Sequence, residues 1–155
     1  PIGIDALLDV QQPIVRALLP QAPAMPGAEQ LVQHCCDHGI KTALVTSSSR
    51  EAVAFKTSHH PWVRSIKERI YGDDPQLVAG KPDPSPYLLA AKRLKVDPKA
   101  CWAFEDSKAG MKSAVAAGCR VWVLSPGIEN EPLTKNPCRI HSLEVALNQL
   151  VNTNG

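Results

Sequence analysis

The chain has 155 residues, 17 Lys and Arg against 15 Asp and Glu, and a formal net charge of +2. Apolar residues make up 44% and charged residues 21%, the balance of one globular domain with a real core rather than a disordered chain. So neutral a chain carries no electrostatic footprint for nucleic acid or an anionic membrane, and no run approaches the roughly 18 apolar residues of a membrane span.

Residues 1–19 carry apolar side chains at Ile4, Leu7, Leu8, Ile14, Val15, Leu18 and Leu19, a spacing that predicts a helix interrupted or restarted at Pro13. Pro20 to Pro26 holds three prolines in seven residues and reads as a linker. A helix over Ala28–His38 stops at Gly39, and Ile40–Val45 is a mostly apolar strand. A Ser-rich turn comes next, then a helix from about Arg50 to Thr57 and a weaker strand around Arg69–Tyr71. Asp83-Pro84 reads as an N-cap and first helical residue, opening a helix to about Leu94. Cys101–Phe104 is a strand, Lys108–Ala117 a helix ended by Gly118, and Val121–Leu124 a strand. A last amphipathic helix runs from Ser142 through Leu150. Strands alternating with helices imply βαβ units, hence an α/β fold with a parallel sheet covered on both faces.

Cys35, Cys36, Cys101, Cys119 and Cys138 are odd in number and lack framework spacing. With no signal-peptide pattern at the start of the chain, they read as reduced thiols of a cytoplasmic protein. His34, Cys35, Cys36 and His38 place two imidazoles four residues apart, but no further ligands stand at a matching distance. A helix face with buried thiols and solvated histidines is the better reading, and His59-His60 reads as loop.

Ligands of open parallel sheets bind beyond the carboxyl ends of the strands, so the residues just past each strand are informative. After Val45 comes Thr46-Ser47-Ser48-Ser49, where a hydroxyl and backbone N–H groups at a helix start make an anion-binding corner. Ser48 with Glu51 also fits a capping box, and both roles are compatible. After Tyr71 come Gly72-Asp73-Asp74-Pro75, read as turn-formers first and rim residues second, then Gly80-Lys81-Pro82-Asp83-Pro84. Lys81, on a stiff loop before a helix, suits a phosphate as a point charge, though most lysines are simply solvated. After Phe104 come Glu105-Asp106-Ser107, adjacent carboxylates whose repulsion a hard cation such as Mg²⁺ would offset. Capping by Asp106 or Ser107 with Glu105 in solvent competes for that pair alone. Hydroxyl, lysine and acid pair at three strand ends together favour a phosphate-plus-magnesium site.

These residues resemble the haloacid dehalogenase superfamily of phosphohydrolases over about residues 24–150, with Thr46, Lys81 and Glu105-Asp106 at its second, third and fourth motifs. Phe104 to Ser107, together with Gly110, Ala116, Ala117 and Gly118, carries the resemblance with Gly80 to Pro84. The chain is similar to the β-phosphoglucomutase-like group. Met25-Pro26-Gly27-Ala28-Glu29, Phe55-Lys56-Thr57-Ser58 and Gly72 to Pro75 look closest to its pseudouridine-5′-phosphatase-like branch. The resemblance implies a Rossmann-like core over 24–155, with residues 1–23 as a remnant of a helical cap and its linker. It also implies in-line phosphoryl transfer to an aspartate and hydrolysis of the aspartyl-phosphate. Thr46 and the Ser47 amide would hold phosphate oxygens and Lys81 would neutralise them. Glu105 and Asp106 would hold Mg²⁺, and the substrate would be a small phosphorylated metabolite such as a sugar phosphate or nucleoside monophosphate.

The family's first motif, an apolar strand ending Asp-x-Asp-Gly-Thr, supplies the nucleophile and is absent from the sequence. Asp5 and Asp9 stand four apart, lack the Gly-Thr, have no full strand before them and are rejected as substitutes. The sequence begins with Pro1, and the expectation is the C-terminal part of a longer phosphatase whose central strand is missing, leaving a gap in the sheet. A β-phosphoglucomutase-like phosphotransferase and a non-catalytic remnant that binds phosphate or a partner are the competing functions. An aspartyl-phosphate receiver domain is disfavoured because its acid pair comes early in the chain. The oligomeric state stays open.

Overall fold

The computed structural model of the chain describes residues 5–8, 27–58 and 60–154. Six strands form one sheet: β1 (Asp5–Leu8), β2 (Thr42–Val45), β3 (Glu68–Ile70), β4 (Cys101–Glu105), β5 (Arg120–Leu124) and β6 (Cys138–Ile140). Their order is β3-β2-β1-β4-β5-β6, and every pairing is parallel. The helices are α1 (Ala28–Asp37), α2 (Arg50–Lys56), α3 (Ser85–Leu94), α4 (Lys108–Ala117) and α5 (Leu143–Asn154), with short 3₁₀ turns at Pro61–Ser65 and Pro98–Ala100.

Strand periodicity sorts the core into two clusters. Leu44, Phe104, Trp122 and Leu124 point to one face and pack with Leu31 and Val32 of α1, Val63, and Leu143 and Leu150 of α5. Ala43, Val45, Ala103, Val121 and Val123 alternate to the other face, against Tyr87, Ala90 and Leu94 of α3 and Ala114 and Ala117 of α4. Strands β2, β4 and β5 are therefore buried on both sides, as parallel sheets require. This is the three-layer α/β/α architecture that the alternation of elements implies.

The structure corrects several expectations. The gap expected at the centre of the sheet is filled: Asp5–Leu8 pairs with Thr42–Leu44 on one side and Cys101–Phe104 on the other. Two flanking parallel strands present rows of backbone donors and acceptors that must be satisfied, and a short apolar segment meets that need. The helix predicted across 1–19 thus meets a strand at residues 5–8, because over four residues an apolar run fits either period. Asp9 is the next residue in sequence after this strand, which overturns the expectation that no full strand precedes it; Asp9 itself, Pro13 and the Pro20–Pro26 linker lie outside the described residues, as does His59. The edge strand β6 has no counterpart among the expected elements: Cys-Arg-Ile is three residues long with its arginine exposed, too short to show a period.

Helix boundaries agree to within a few residues, but two caps shift. Ser49, not Ser48, caps α2 by accepting from the Ala52 amide at 3.1 Å. Pro84 stands at the start of α3, while the Asp83 carboxylate accepts from the Ser85 amide at 2.9 Å. Ser107 caps α4 through the Gly110 amide at 3.0 Å, and α4 ends at Gly118 as expected.

All five cysteines are free thiols, and only Cys36 is exposed. Burial pushes the Cys119 thiol up to about 12, so it behaves as a small apolar side chain. Cys35 sits in the core, while the His34 and His38 rings stack at 4.0 Å. Among the described residues, no helix is long and apolar enough to cross a membrane.

Candidate active site

The carboxyl ends of β2, β3 and β4 bring the sequence-predicted groups together. Thr46 directly succeeds β2, is 3% exposed, and is tied to β3 by its amide donating to the Ile70 carbonyl at 3.0 Å. Its Oγ1 accepts from the Ser48 amide at 3.1 Å, which closes the Thr46–Ser49 turn on itself. The Gly72 amide donates to Ser48 O at 2.8 Å, and a β-carbon on Gly72 would overlap the Ser47 backbone. Only glycine lets the loop after β3 approach this closely, so it braces the hydroxyl turn.

Lys81 is held across the end of the sheet. Its Nζ donates to the Val45 carbonyl at 3.1 Å and to Glu105 Oε2 at 2.6 Å. Val45 ends β2 and Glu105 ends β4, while the pairing of β1 stops one register earlier, at Leu8 opposite Leu44 and Phe104. The ammonium therefore clasps the two neighbours of the central strand just beyond that strand's carboxyl end. The loop that carries it is anchored by buried Ser113 of α4, whose hydroxyl donates to the Asp83 carbonyl at 2.6 Å.

Both charges of this pair are buried, with side-chain exposures of 4% for Lys81 and 0% for Glu105. Burial pulls the Lys81 amine down and pushes the Glu105 carboxyl up, and their mutual attraction opposes both shifts. The Asp106 charge also favours the protonated amine, so this carboxylate acts on Lys81 as well. Glu105 is thus not the solvated partner of a cap but the centre of the cluster. Its Oε1 faces Ser107 at 3.5 Å, and a β-carbon on Gly110 would overlap its carboxyl group.

Sequence reading missed Tyr87. It is fully buried on α3, and its hydroxyl donates to Glu105 Oε2. Burial drives its own ionisation well above the usual phenol range, so it serves only as a protonated donor. An aromatic residue inside a helix reads as core, and only the rule that a buried tyrosine hydroxyl needs a partner hints at more.

Asp74 forms the turn read for it, its Oδ1 accepting from the Gln76 amide at 2.9 Å, whereas Asp73 reaches out of the turn to the start of α2. Asp73 accepts from the Arg50 amide at 3.2 Å. Asp74 receives both Arg93 guanidinium nitrogens, at 2.7 and 2.9 Å, which fastens the loop after β3 to α3. Arg93 holds the Asp74 carboxyl below its usual range. A depressed carboxyl stabilises the fold above its unfolded pKa and loses that contribution as pH falls through the folded value. Arg93→Met should therefore flatten the loss of stability below about pH 4, the ordinary Asp range, in urea melts taken across the acid range.

Two adjacent carboxylates at a strand end are hard oxygen donors of the kind a Mg²⁺ ion takes together with waters and phosphate oxygens, so the donor set fits that ion. Among the described residues, no group of three or more His, Cys, Asp or Glu side chains gathers to complete such a site. Asp5 opposes Cys101 at the start of β4, and therefore lies at the amino end of the sheet, away from Glu105.

A doubly covered parallel sheet with a hydroxyl turn, a clasped lysine and an acid pair at its carboxyl edge has the architecture of open α/β folds whose ligands bind beyond the carboxyl ends of the strands. The chain is a member of the haloacid dehalogenase-like hydrolase family, whose model matches residues 3–118. It is 36% identical over 121 residues to the bifunctional riboflavin kinase/FMN phosphatase of Arabidopsis thaliana, covering 78% of this chain and 32% of that protein. It is 37% identical over 125 residues to a Drosophila melanogaster protein named "Probable pseudouridine-5'-phosphatase", covering 78% and 54%. The crystal structure of CbbY from Rhodobacter sphaeroides in complex with phosphate superimposes with a TM-score of 0.64 at 30% identity, covering 81% and 58%. The chain thus spans between about a third and three fifths of the length of these proteins.

Proposed function

We propose that this chain supplies the phosphate- and cation-binding part of a phosphoric monoester hydrolase. The substrate would be a small phosphorylated metabolite, a sugar phosphate or nucleoside monophosphate. The observation that carries the reading is the Lys81 clasp between Val45 O and Glu105, set at the mouth of the central strand. A residue emerging from the end of that strand would meet a cation, a hydroxyl turn and two carboxylates at once. In the family, the central strand delivers the nucleophilic aspartate to that place. The names of the FMN phosphatase and pseudouridine-5′-phosphatase relatives support the substrate class.

In this reading residues 24–155 are the phosphatase core, Asp5–Leu8 joins it as the central strand, and the remainder of residues 1–23 is the end of a cap segment with its linker. Thr46 Oγ1 and the Ser47 amide bind phosphate oxygens, and the braced turn presents them without reorganisation. Lys81 draws negative charge away from the phosphate and keeps an anionic nucleophile close to it. Glu105 and Asp106 hold Mg²⁺, which, when bound, screens the repulsion between an anionic nucleophile and an anionic substrate. The Asp-x-Asp-Gly-Thr motif that would accept the phosphoryl group as an aspartyl-phosphate is not in the sequence; Asp9, next after β1 in sequence, lacks the second aspartate and the Gly-Thr, so full activity requires that motif.

Thr46→Val tests the phosphate assignment. With the Oγ1 acceptor and donor removed but the volume kept, binding of inorganic phosphate in the presence of Mg²⁺ should weaken roughly tenfold by calorimetry, from the loss of one hydrogen bond to a charged group. Equal affinity in the folded variant would contradict it.

A further inference from the structure

The proposed chemistry leaves the Tyr87 hydroxyl, a polar group inside the buried cluster, without a role. Tyr87 is 0% exposed, and phenylalanine would fill the same space without a polar atom to satisfy. The hydroxyl donates to Glu105 Oε2, the same oxygen that takes Lys81 Nζ at 2.6 Å. Lys81 Nζ also lies 5.5 Å from the centroid of the Tyr87 ring, so this side chain touches both members of the ion pair. The last torsion of a glutamate is broad and its two oxygens are equivalent, so what needs fixing is the plane of the carboxylate. Two donors arriving from different elements, the Lys81 loop and α3, fix it here. Oε1 is left on the side of Ser107 and Gly110, the turn that carries Asp106.

We infer that Tyr87 is a positioning residue for Glu105: with Lys81 its hydroxyl fixes the plane of the carboxylate, so that one oxygen meets both donors and the other is held toward Ser107 and the turn of Asp106 for cation binding. The inference rests on the proposal that Glu105 and Asp106 hold a divalent cation. Without the hydroxyl, Lys81 is the main restraint left on Oε2, the correctly turned fraction falls, and apparent cation affinity falls in proportion.

Mn²⁺ added to the chain serves as the probe, monitored through its relaxation of the amide signals of residues 105–110 by NMR. This reports on weak site binding without any turnover. Tyr87→Phe should raise the half-saturating Mn²⁺ concentration about tenfold, the low end of the scale of one hydrogen bond to a charged group. Glu105→Gln should abolish the site-specific effect. An unchanged Mn²⁺ titration in Tyr87→Phe, with Glu105→Gln still defective, would overturn the role of Tyr87 alone; a merely structural hydroxyl would lower the melting temperature and do nothing else. Titrations equal in wild type and Glu105→Gln, or no Mn²⁺ effect in wild type, would overturn the cation reading beneath it. Should Tyr87→Phe fail to fold, fluorotyrosine at Tyr87 in a Tyr71→Phe background, whose more acidic hydroxyl donates more strongly, should shift the titration. No shift would contradict the inference.

Discussion

Lys81→Met should destabilise the fold by about 3–5 kcal/mol at neutral pH, because it leaves the Glu105 carboxylate buried without its counter-charge. The methionine fills most of the lysine's volume, so packing loss is a minor part. The Tyr87 hydroxyl and, at 3.5 Å, Ser107 would still face Glu105. Urea unfolding gives the deficit directly, and its pH dependence identifies the cause. Burial already raises the Glu105 carboxyl, and removing Lys81 removes the largest effect that opposes the rise. A carboxyl raised in the folded state destabilises when ionised, so the deficit relative to wild type should narrow as pH falls. Adding Glu105→Gln to Lys81→Met should recover much of the loss, since the uncompensated charge is then gone. A deficit that is independent of pH and not recovered would point to packing instead.

Gly110→Ala should also destabilise, although alanine in a helix is ordinarily worth about 1 kcal/mol over glycine. The added β-carbon would overlap the Glu105 carboxyl group, which Lys81 and Tyr87 hold in place through Oε2. Overpacking of a buried site typically costs about 1–3 kcal/mol, and here it also threatens the ion pair, so it exceeds the propensity gain. The net loss should be about 1–3 kcal/mol in urea melts. Shortening the neighbour with Glu105→Asp in the Gly110→Ala background should relieve the overlap. A stabilised Gly110→Ala single variant would show that Glu105 is free to move.

The site and the fold are legible in the sequence to different degrees, for physical reasons. Thr46, Lys81 and Glu105 are readable because a parallel sheet places its ligand groups at strand ends, and apolar runs mark those ends clearly. Lys81 bonded to both Val45 O and Glu105 ties all three loops into one place. Gly118 and Ser107 mark the ends of α4 because a left-handed C-cap and a hydroxyl N-cap have few substitutes. Ser48 is easily mistaken for the cap because three consecutive serines offer the same chemistry, and only geometry chooses Ser49. Asp5–Leu8 reads as helix because its strand character comes from the open edges of β2 and β4, distant in sequence. The Tyr87 contact is invisible in the sequence because it depends on which carboxylate the hydroxyl reaches across 18 residues. Pairwise contacts between buried groups on separate elements leave no periodic trace in a sequence.

The central claim is that this family member carries the phosphate and cation groups of the reaction without the aspartate that performs it. Hydrolysis of p-nitrophenyl phosphate by the purified chain in Mg²⁺ tests it most directly, with Asp106→Ala run in parallel. The account predicts no release above the blank from either protein. Mg²⁺-dependent turnover by the chain, abolished by Asp106→Ala, would contradict it.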